Sequence, residues 1–206
     1  MSFYKIVRSI VGPLARIVFP VWVYGKENVP QKGNFLLCSN HISYIDPVYH
    51  IVGQKNVVHF MARDNLFKRK LTGWFLKKML AYPVKRGASD TESVRVTFDL
   101  LENGEVVGIF PEGTRSKNGE LGKFKAGAIL IASKADAAIL PSVICTKNGK
   151  VKAFKKSVLI YGKPVTVAEL GLINGTSQEL KDSARKLMEI IENLRAEGLL
   201  KLGIRS

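Results

Sequence analysis

The sequence predicts an α/β fold, a mixed, largely parallel sheet flanked by helices and preceded by an N-terminal amphipathic helix at a membrane interface. Three observations lead there. Short apolar strand candidates alternate with helical patterns along most of the chain. The two loops richest in reactive side chains each follow an apolar run that reads as a buried strand. The first segment repeats its apolar residues at helical spacing, yet charges and prolines interrupt every window long enough to span a bilayer.

In that first segment Phe3, Ile6, Val7, Ile10, Leu14, Ile17 and Val18 recur at helical spacing, with Lys5, Arg8 and Arg16 between them. Arg8, Pro13, Arg16 and Pro20 argue against a spanning helix, and no signal-peptide cleavage pattern follows. A helix lying in the interface is favoured, its basic flank toward headgroups and its aromatics inward. Packing on the protein's own core is the alternative. Residues 1–20 are therefore set apart as a membrane-associating segment, and 21–206 as the main domain.

Strands are expected at Val21–Tyr24, Asn34–Ser39 and Val57–Ala62, with two or three helical turns in "DPVYHIVG". "FKRKLTGWFLKKMLAYPV" mixes lysines with Phe67, Trp74, Phe75 and Tyr82, which suits a second membrane-touching surface or a packed core helix. In "SDTESVRVTFDLLENG", Ser89 and Glu92 form a capping-box pattern, Val94, Phe98 and Leu101 share a face, and Gly104 can close the helix. "VVGIF" reads as a buried strand and "FKAGAILIASKA" as a helix, while "AAILPSVIC" and "SVLIYG" read as strands. Thr176 and Glu179 can cap a last helix whose face carries Leu180, Ala184, Leu187, Ile191 and Leu194.

The charge balance, 32 Lys+Arg against 17 Asp+Glu for a net +15, calls for an anionic partner: nucleic acid, an acidic membrane surface or a phosphorylated substrate. No nucleic-acid module signature is visible, and the aromatics of the N-terminus suit lipid better. With 46% hydrophobic residues a sizeable core is available. Cys38 and Cys145 sit among apolar neighbours and read as buried thiols of a reducing compartment. The three histidines and two cysteines show no metal-ligand spacing, so no metal is expected.

"LLCSNHISYIDPVYH" ends an apolar run abruptly and sets His41 five positions before Asp46. On one helix, five steps of about 100° would carry the two side chains some 140° apart. They converge only if the chain turns. The sequence supplies that turn: a strand ending near Ser39, a loop, then Asp46 as N-cap with Pro47 at the first helical position. Asp46 as a simple cap and His41 as a loop residue remain the plain alternative. A carboxylate on one imidazole nitrogen would orient the ring and leave the other free to take a hydroxyl proton. Neither Ser43, which lacks a nucleophile-elbow setting, nor the buried Cys38 is a convincing covalent nucleophile.

"IFPEGTRS" is the second such loop. Gly113 permits close backbone approach, Thr114 offers a hydroxyl and Arg115 a guanidinium suited to phosphate. Glu112 could contact the substrate or pair with an arginine. "YPVKRG" adds Arg86. Ligands of parallel sheets collect beyond the carboxyl ends of strands, where these loops could converge.

With those residues in view, the chain resembles the glycerolipid acyltransferase family. "NHISYID" looks like the family's His-four-residues-Asp motif and "FPEGTRS" like its phosphate-binding motif, in the same order. "ARDNLF", "YPVKRG", "FKAGA" and "ILPSVI" are similar to further family segments, and the likeness runs from about residue 20 to 165. Two departures, Asn65 where glutamate is common and Lys85 where an acidic residue often precedes the arginine, make this site more basic. The resemblance implies His41 as base with Asp46 as its partner. It also implies Arg86, Glu112, Gly113, Thr114 and Arg115 around a glycerophosphate acceptor. The implied reaction moves a fatty acyl group from an acyl-CoA or acyl carrier protein thioester to the sn-2 hydroxyl of a 1-acyl-glycerol 3-phosphate, at the cytoplasmic face of a membrane and without a cofactor. Glycerol 3-phosphate or another lysophospholipid is the alternative acceptor. A thioester hydrolase using the same base on water, and a nucleic-acid-binding domain, are the rivals.

Overall fold

The computed structural model describes residues 3–85 and 91–204. The chain opens with α1 (Phe3–Ile6), a π-helical turn over Val7–Val11 and α2 (Gly12–Val18). It continues through β1 (Val21–Tyr24), β2 (Phe35–Ser39), α3 (Asp46–Gly53) and β3 (Val58–Arg63). Next come α4 (Asp64–Phe67), α5 (Lys70–Lys78), β4 (Tyr82–Val84), α6 (Thr91–Glu102) and β5 (Val106–Ile109). It ends with α7 (Gly127–Lys134), β6 (Ala138–Thr146), β7 (Ser157–Tyr161) and α8 (Ser177–Lys201).

The strands form a seven-stranded sheet in the order β1-β7-β6-β2-β5-β3-β4. Every pairing is parallel except β6 with β7. All five residues of β2 are buried, as a continuous apolar run demands of a strand covered on both faces. Alternation along β2 divides the core. Leu36 and Cys38 face Val107, Leu101, Ile129 and Leu187, under α6, α7 and α8. Phe35 and Leu37 face Tyr4, Tyr49, Phe60 and Val106 on the opposite side, under α1 and α3. Cys38 and Cys145 are both free and buried, and burial pushes each thiol up to about 12. The mixed, largely parallel sheet with flanking helices is the expected architecture, and β2 and β5 lie side by side within it.

The N-terminal helix differs from expectation in which face does what. Tyr4 is fully buried and its hydroxyl accepts a hydrogen bond from the Val58 N–H. Arg16 donates to the Val52 carbonyl at 2.7 Å, and Arg8 donates to the Lys55 carbonyl. The arginines therefore bind carbonyls at and just beyond the end of α3, where a cation is favoured, instead of turning to solvent. The apolar side chains are the exposed ones: Ile10, Leu14 and Ile17 here, and Leu71, Trp74 and Phe75 on α5. Phe3 and Trp74 meet edge to face at 5.3 Å, so α1 and α5 touch there. Among the described residues no helix is long and apolar enough to cross a membrane.

Helix α6 is also rotated relative to expectation. Its buried face is Ser93, Thr97 and Leu101, while Val94 is exposed. The Thr97 hydroxyl can enter the core because it is satisfied: it donates to the Ser93 carbonyl and pairs with the Tyr82 hydroxyl at 2.8 Å. The expected cap Ser89 lies outside the described residues. At the last helix, Thr176 caps as expected, accepting from the Glu179 N–H, but the Glu179 carboxylate binds the N–H groups of Ile173, Asn174 and Gly175.

Gly108 pairs with Phe60 across β5 and β3, and a Cβ built there would fall 2.2 Å from the Phe60 ring. Gly108→Ala is expected to cost about 1–3 kcal/mol by overpacking. In urea denaturation, adding Phe60→Leu to that variant should restore most of the loss. An equal loss in the double variant would locate the damage elsewhere.

Candidate active site

The loop leaving β2 is fixed by each residue in turn. Asn40 is buried and bridges to β6, its amide donating to the Ile144 carbonyl at 2.9 Å and its oxygen accepting from the Ile144 N–H at 2.8 Å. His41 then uses both backbone groups: its N–H donates to Glu112 Oε1 at 2.9 Å, and its carbonyl accepts from the Ser116 N–H at 2.7 Å. The imidazole Nδ1 lies 2.7 Å from Asp46 Oδ2. Its ring stacks on Phe110 with centroids 4.1 Å apart and planes 14° from parallel, and Phe110 stacks in turn on Phe60. The His41 side chain is 20% exposed, so one edge of the held ring opens to solvent.

Asp46 is fully buried and is the first residue of α3, with Ile45 as its cap. Its carboxylate does not cap that helix, as the sequence suggested. It turns back into the loop, where Oδ2 accepts from Ile42 N–H at 2.7 Å and Ser43 N–H at 2.8 Å as well as from the imidazole. Burial pushes the Asp46 carboxyl above its ordinary range, and His41 with the two backbone donors opposes that. With Asp46 ionised, Nδ1 carries the imidazole hydrogen and Nε2 keeps its lone pair.

The β5 loop meets this one directly. Glu112 is buried, and its other oxygen, Oε2, accepts from the Gly122 N–H at 2.8 Å. Burial pushes Glu112 upward too, against the His41 and Gly122 donors. Both of its oxygens are thus engaged by backbone. A negative group so occupied is a poor contact for a phosphate and a good brace for the main chain at His41. Gly113 turns the chain with φ +69°, and Thr114 and Arg115 stand exposed beyond it. The Arg115 guanidinium lies 3.5 Å from the Tyr44 ring centroid and donates to the Tyr44 hydroxyl at 2.8 Å. Arg86 lies outside the described residues.

Sequence reasoning missed His50, one helical turn after Asp46. It is fully buried, 3.4 Å from the Tyr161 hydroxyl and beside Phe60 and Phe110. Burial, with the nearby His41, lowers its pKa to about 3. Spacing gave no signal for it, since an uncharged imidazole in a core looks in sequence like any other helical polar residue. Tyr44 was equally silent as one of four unspecified residues between His41 and Asp46.

A histidine held by a buried carboxylate, at the mouth of a parallel sheet and beside an exposed Gly-Thr-Arg turn, has the geometry that general-base chemistry on an anionic substrate requires. The family model described as Acyltransferase matches residues 20–145. The 1-acyl-sn-glycerol-3-phosphate acyltransferase of Bacillus subtilis is 31% identical over 200 residues, covering 91% of this chain and 100% of that protein. The chloroplastic enzyme LPAT1 of Arabidopsis thaliana is 28% identical over 81% of this chain and 48% of its own length. The crystal structure of the 1-acyl-sn-glycerophosphate (LPA) acyltransferase PlsC from Thermotoga maritima superposes with a TM-score of 0.72 at 25% identity, covering 98% of this chain and 80% of that one. The chain belongs to the acyltransferase family and is an enzyme of it.

His50 gives a pH signature of stability. Its folded pKa is lowered from 6.5 to about 3, so the unfolded chain binds a proton there that the folded one refuses. Its contribution is complete above about pH 6.5 and is lost as pH falls toward 3. Asp46 and Glu112, whose values are raised, act in the opposite sense. In thermal unfolding between pH 7 and 4, His50→Leu should therefore lose less stability on acidification than the parent. Parallel curves would show that His50 is protonated or solvated in the fold.

Proposed function

We propose that this enzyme transfers a fatty acyl group from an acyl-CoA or acyl carrier protein thioester to the sn-2 hydroxyl of a 1-acyl-glycerol 3-phosphate, giving phosphatidic acid. The single observation carrying this is the 2.7 Å His41–Asp46 pair, joined through the Ser116 N–H and the His41 carbonyl to the Gly113–Arg115 turn. The base and the anion-binding group therefore move as one piece. The names of the relatives from Bacillus, Arabidopsis and Thermotoga support the acceptor class.

In the reaction, Arg115, with Arg86 from the third loop, holds the acceptor phosphate and sets the free hydroxyl near His41. Such positioning can remove several kcal/mol of the barrier by making the attack effectively intramolecular. Nε2 takes the hydroxyl proton as the oxygen bonds to the thioester carbonyl carbon. The tetrahedral adduct then collapses with cleavage of the C–S bond, and the imidazolium returns its proton to the departing thiolate. Asp46 stabilises the positive ring between those two events. No metal or cofactor enters this sequence. Phe110 covers one face of the imidazole and holds the ring in plane with its partner.

A lipid acceptor must be reached at a membrane. The exposed apolar side chains Ile10, Leu14 and Ile17 on the N-terminal segment and Leu71 and Trp74 on α5, the latter with Lys70, Lys77 and Lys78 exposed on the same helix, support peripheral binding to an anionic leaflet, with the cytoplasmic face as its setting. Removing arginines from that role leaves the α5 lysines to meet the headgroups.

His41→Ala is expected to lower acyl transfer by about 10²-fold or more, with near-UV circular dichroism unchanged. The assay offers both thioester types against lysophosphatidate, glycerol 3-phosphate, a neutral lysophospholipid and water. Turnover unimpaired in the variant, or thioester loss equal with and without a lipid alcohol, would remove the proposal. In flotation with phosphatidylglycerol vesicles, Leu14→Glu combined with Trp74→Glu should abolish binding that the parent shows. Unchanged flotation would place the lipid contact on another face.

A further inference from the structure

Beside the His41 loop opens a cleft of about 370 Å³. One wall is Ser43 and Tyr44, the floor is the segment Arg115–Lys117, and the far wall is Lys150 and Val151 from the β6–β7 connection. Among the described residues three cations line it and no carboxylate does. Like charges gathered around a small concavity repel one another, and an anion seated among them relieves that repulsion.

The far wall is held in place. Lys117-Asn118-Gly119 and Lys147-Asn148-Gly149 form two turns of the same composition from loops thirty positions apart, and they pack backbone to backbone. Gly119 and Gly149 have φ of +83° and +65°. A Cβ on Gly149 would lie 2.0 Å from the Asn118 carbonyl oxygen, and one on Gly119 would lie 2.3 Å from the Gly149 Cα. Only glycine fits either place, so the β6–β7 turn is seated on the loop that follows Arg115. Lys150 is the next residue after that contact. On the near wall, the stack on Tyr44 and one hydrogen bond to its hydroxyl set the plane of the Arg115 guanidinium and leave its other N–H groups for a ligand.

We propose that Lys150, with Lys117, extends across this cleft the phosphate clamp that Arg115 begins, with Tyr44 as the residue that positions the guanidinium. The inference deepens the function proposed above and rests on it for the identity of the acceptor. The phosphates of a CoA donor share the same chemistry, so the test separates the two sources.

Lys150→Gln should raise KM for 1-acyl-glycerol 3-phosphate by about tenfold, the loss expected for one charge-assisted hydrogen bond. In the same variant kcat and KM for the thioester should stay within about twofold, the preference over a monoacylglycerol acceptor falling by the same tenfold factor. Tyr44→Leu should raise the acceptor KM as well, and Tyr44→Phe, which keeps the stack, should do so less. An unchanged acceptor KM in Lys150→Gln, or a rise confined to the thioester KM, overturns the assignment. Equilibrium binding of glycerol 3-phosphate, followed by calorimetry without turnover, separates this inference from the function itself. If the parent binds the probe several-fold more tightly than Lys150→Gln, the cleft stands even where lysophosphatidate proves not to be the acceptor. Equal affinities, or no saturable binding by the parent, dismiss the cleft.

Discussion

Oδ2 of Asp46 accepts hydrogen bonds from the His41 ring and from two successive backbone N–H groups, with all three donors within 2.8 Å and the residue fully buried. A carboxylate without donors at that depth would be costly to ionise, and loop N–H groups without an acceptor would be costly to bury. Each group therefore justifies the other. The loop between β2 and α3 closes around one oxygen, and the ring at its start receives a fixed direction as a consequence. Glu112 repeats the device from the neighbouring strand, joining the His41 N–H to the Gly122 N–H. Two buried acids thus serve backbone donors first, and the imidazole is positioned because its main chain is.

The sheet order makes that possible. β2 lies between β5 and β6, and the side chains of Asn40 and Glu112 tie its outgoing loop to both neighbours. Parallel β2 and β5 end at the same edge, so the histidine loop and the Gly-Thr-Arg loop need no long excursion to meet. Under them, the rings of Phe60, Phe110 and His41 form a stack that starts on the bare backbone of Gly108. A site built on adjoining strand ends and one aromatic pile has few ways to drift, which is what a transfer reaction requires of its base.

Much of this was legible in sequence, and the limits are physical. The strands announced themselves by apolar runs, and Val21–Tyr24 and the helix of "DPVYHIVG" fall where they were expected. The turn between His41 and Asp46 followed from helical geometry, since only a turn brings the two together. The direction of the Asp46 carboxylate did not follow. Asp-Pro at a helix start has the composition of a cap, and sequence does not reveal that unsatisfied N–H groups lie behind it instead of ahead. Arg8 and Arg16 misled for a related reason: amphipathic periodicity separates polar from apolar faces without saying which one meets the protein. Here the carbonyls ending α3 claimed the arginines and left the apolar side outward. In α6 the hydroxyl pair of Thr97 and Tyr82 moved the buried face by one residue, a shift no hydrophobicity pattern encodes. Lys150 lies 109 positions from His41 and enters the cleft only because two glycine turns touch.

The net charge of +15 can now be apportioned. Arg8 and Arg16 are spent on the protein's own carbonyls, and Asp46 and Glu112, two of the 17 acids, are buried beside His41. Two cations and two acids offset one another, so the rest of the chain still carries the whole excess of +15. Beside the His41 loop that excess is met as Lys117 and Lys150 with Arg115, and lysine acts on phosphate as a mobile point charge where arginine acts as a fixed fork. Arg115 has been made still more rigid by Tyr44. One oriented guanidinium beside several mobile ammonium groups suits a ligand whose phosphate must be held in register while its acyl chains vary. The division between fixed and mobile charge, more than the total, sets what this surface can select.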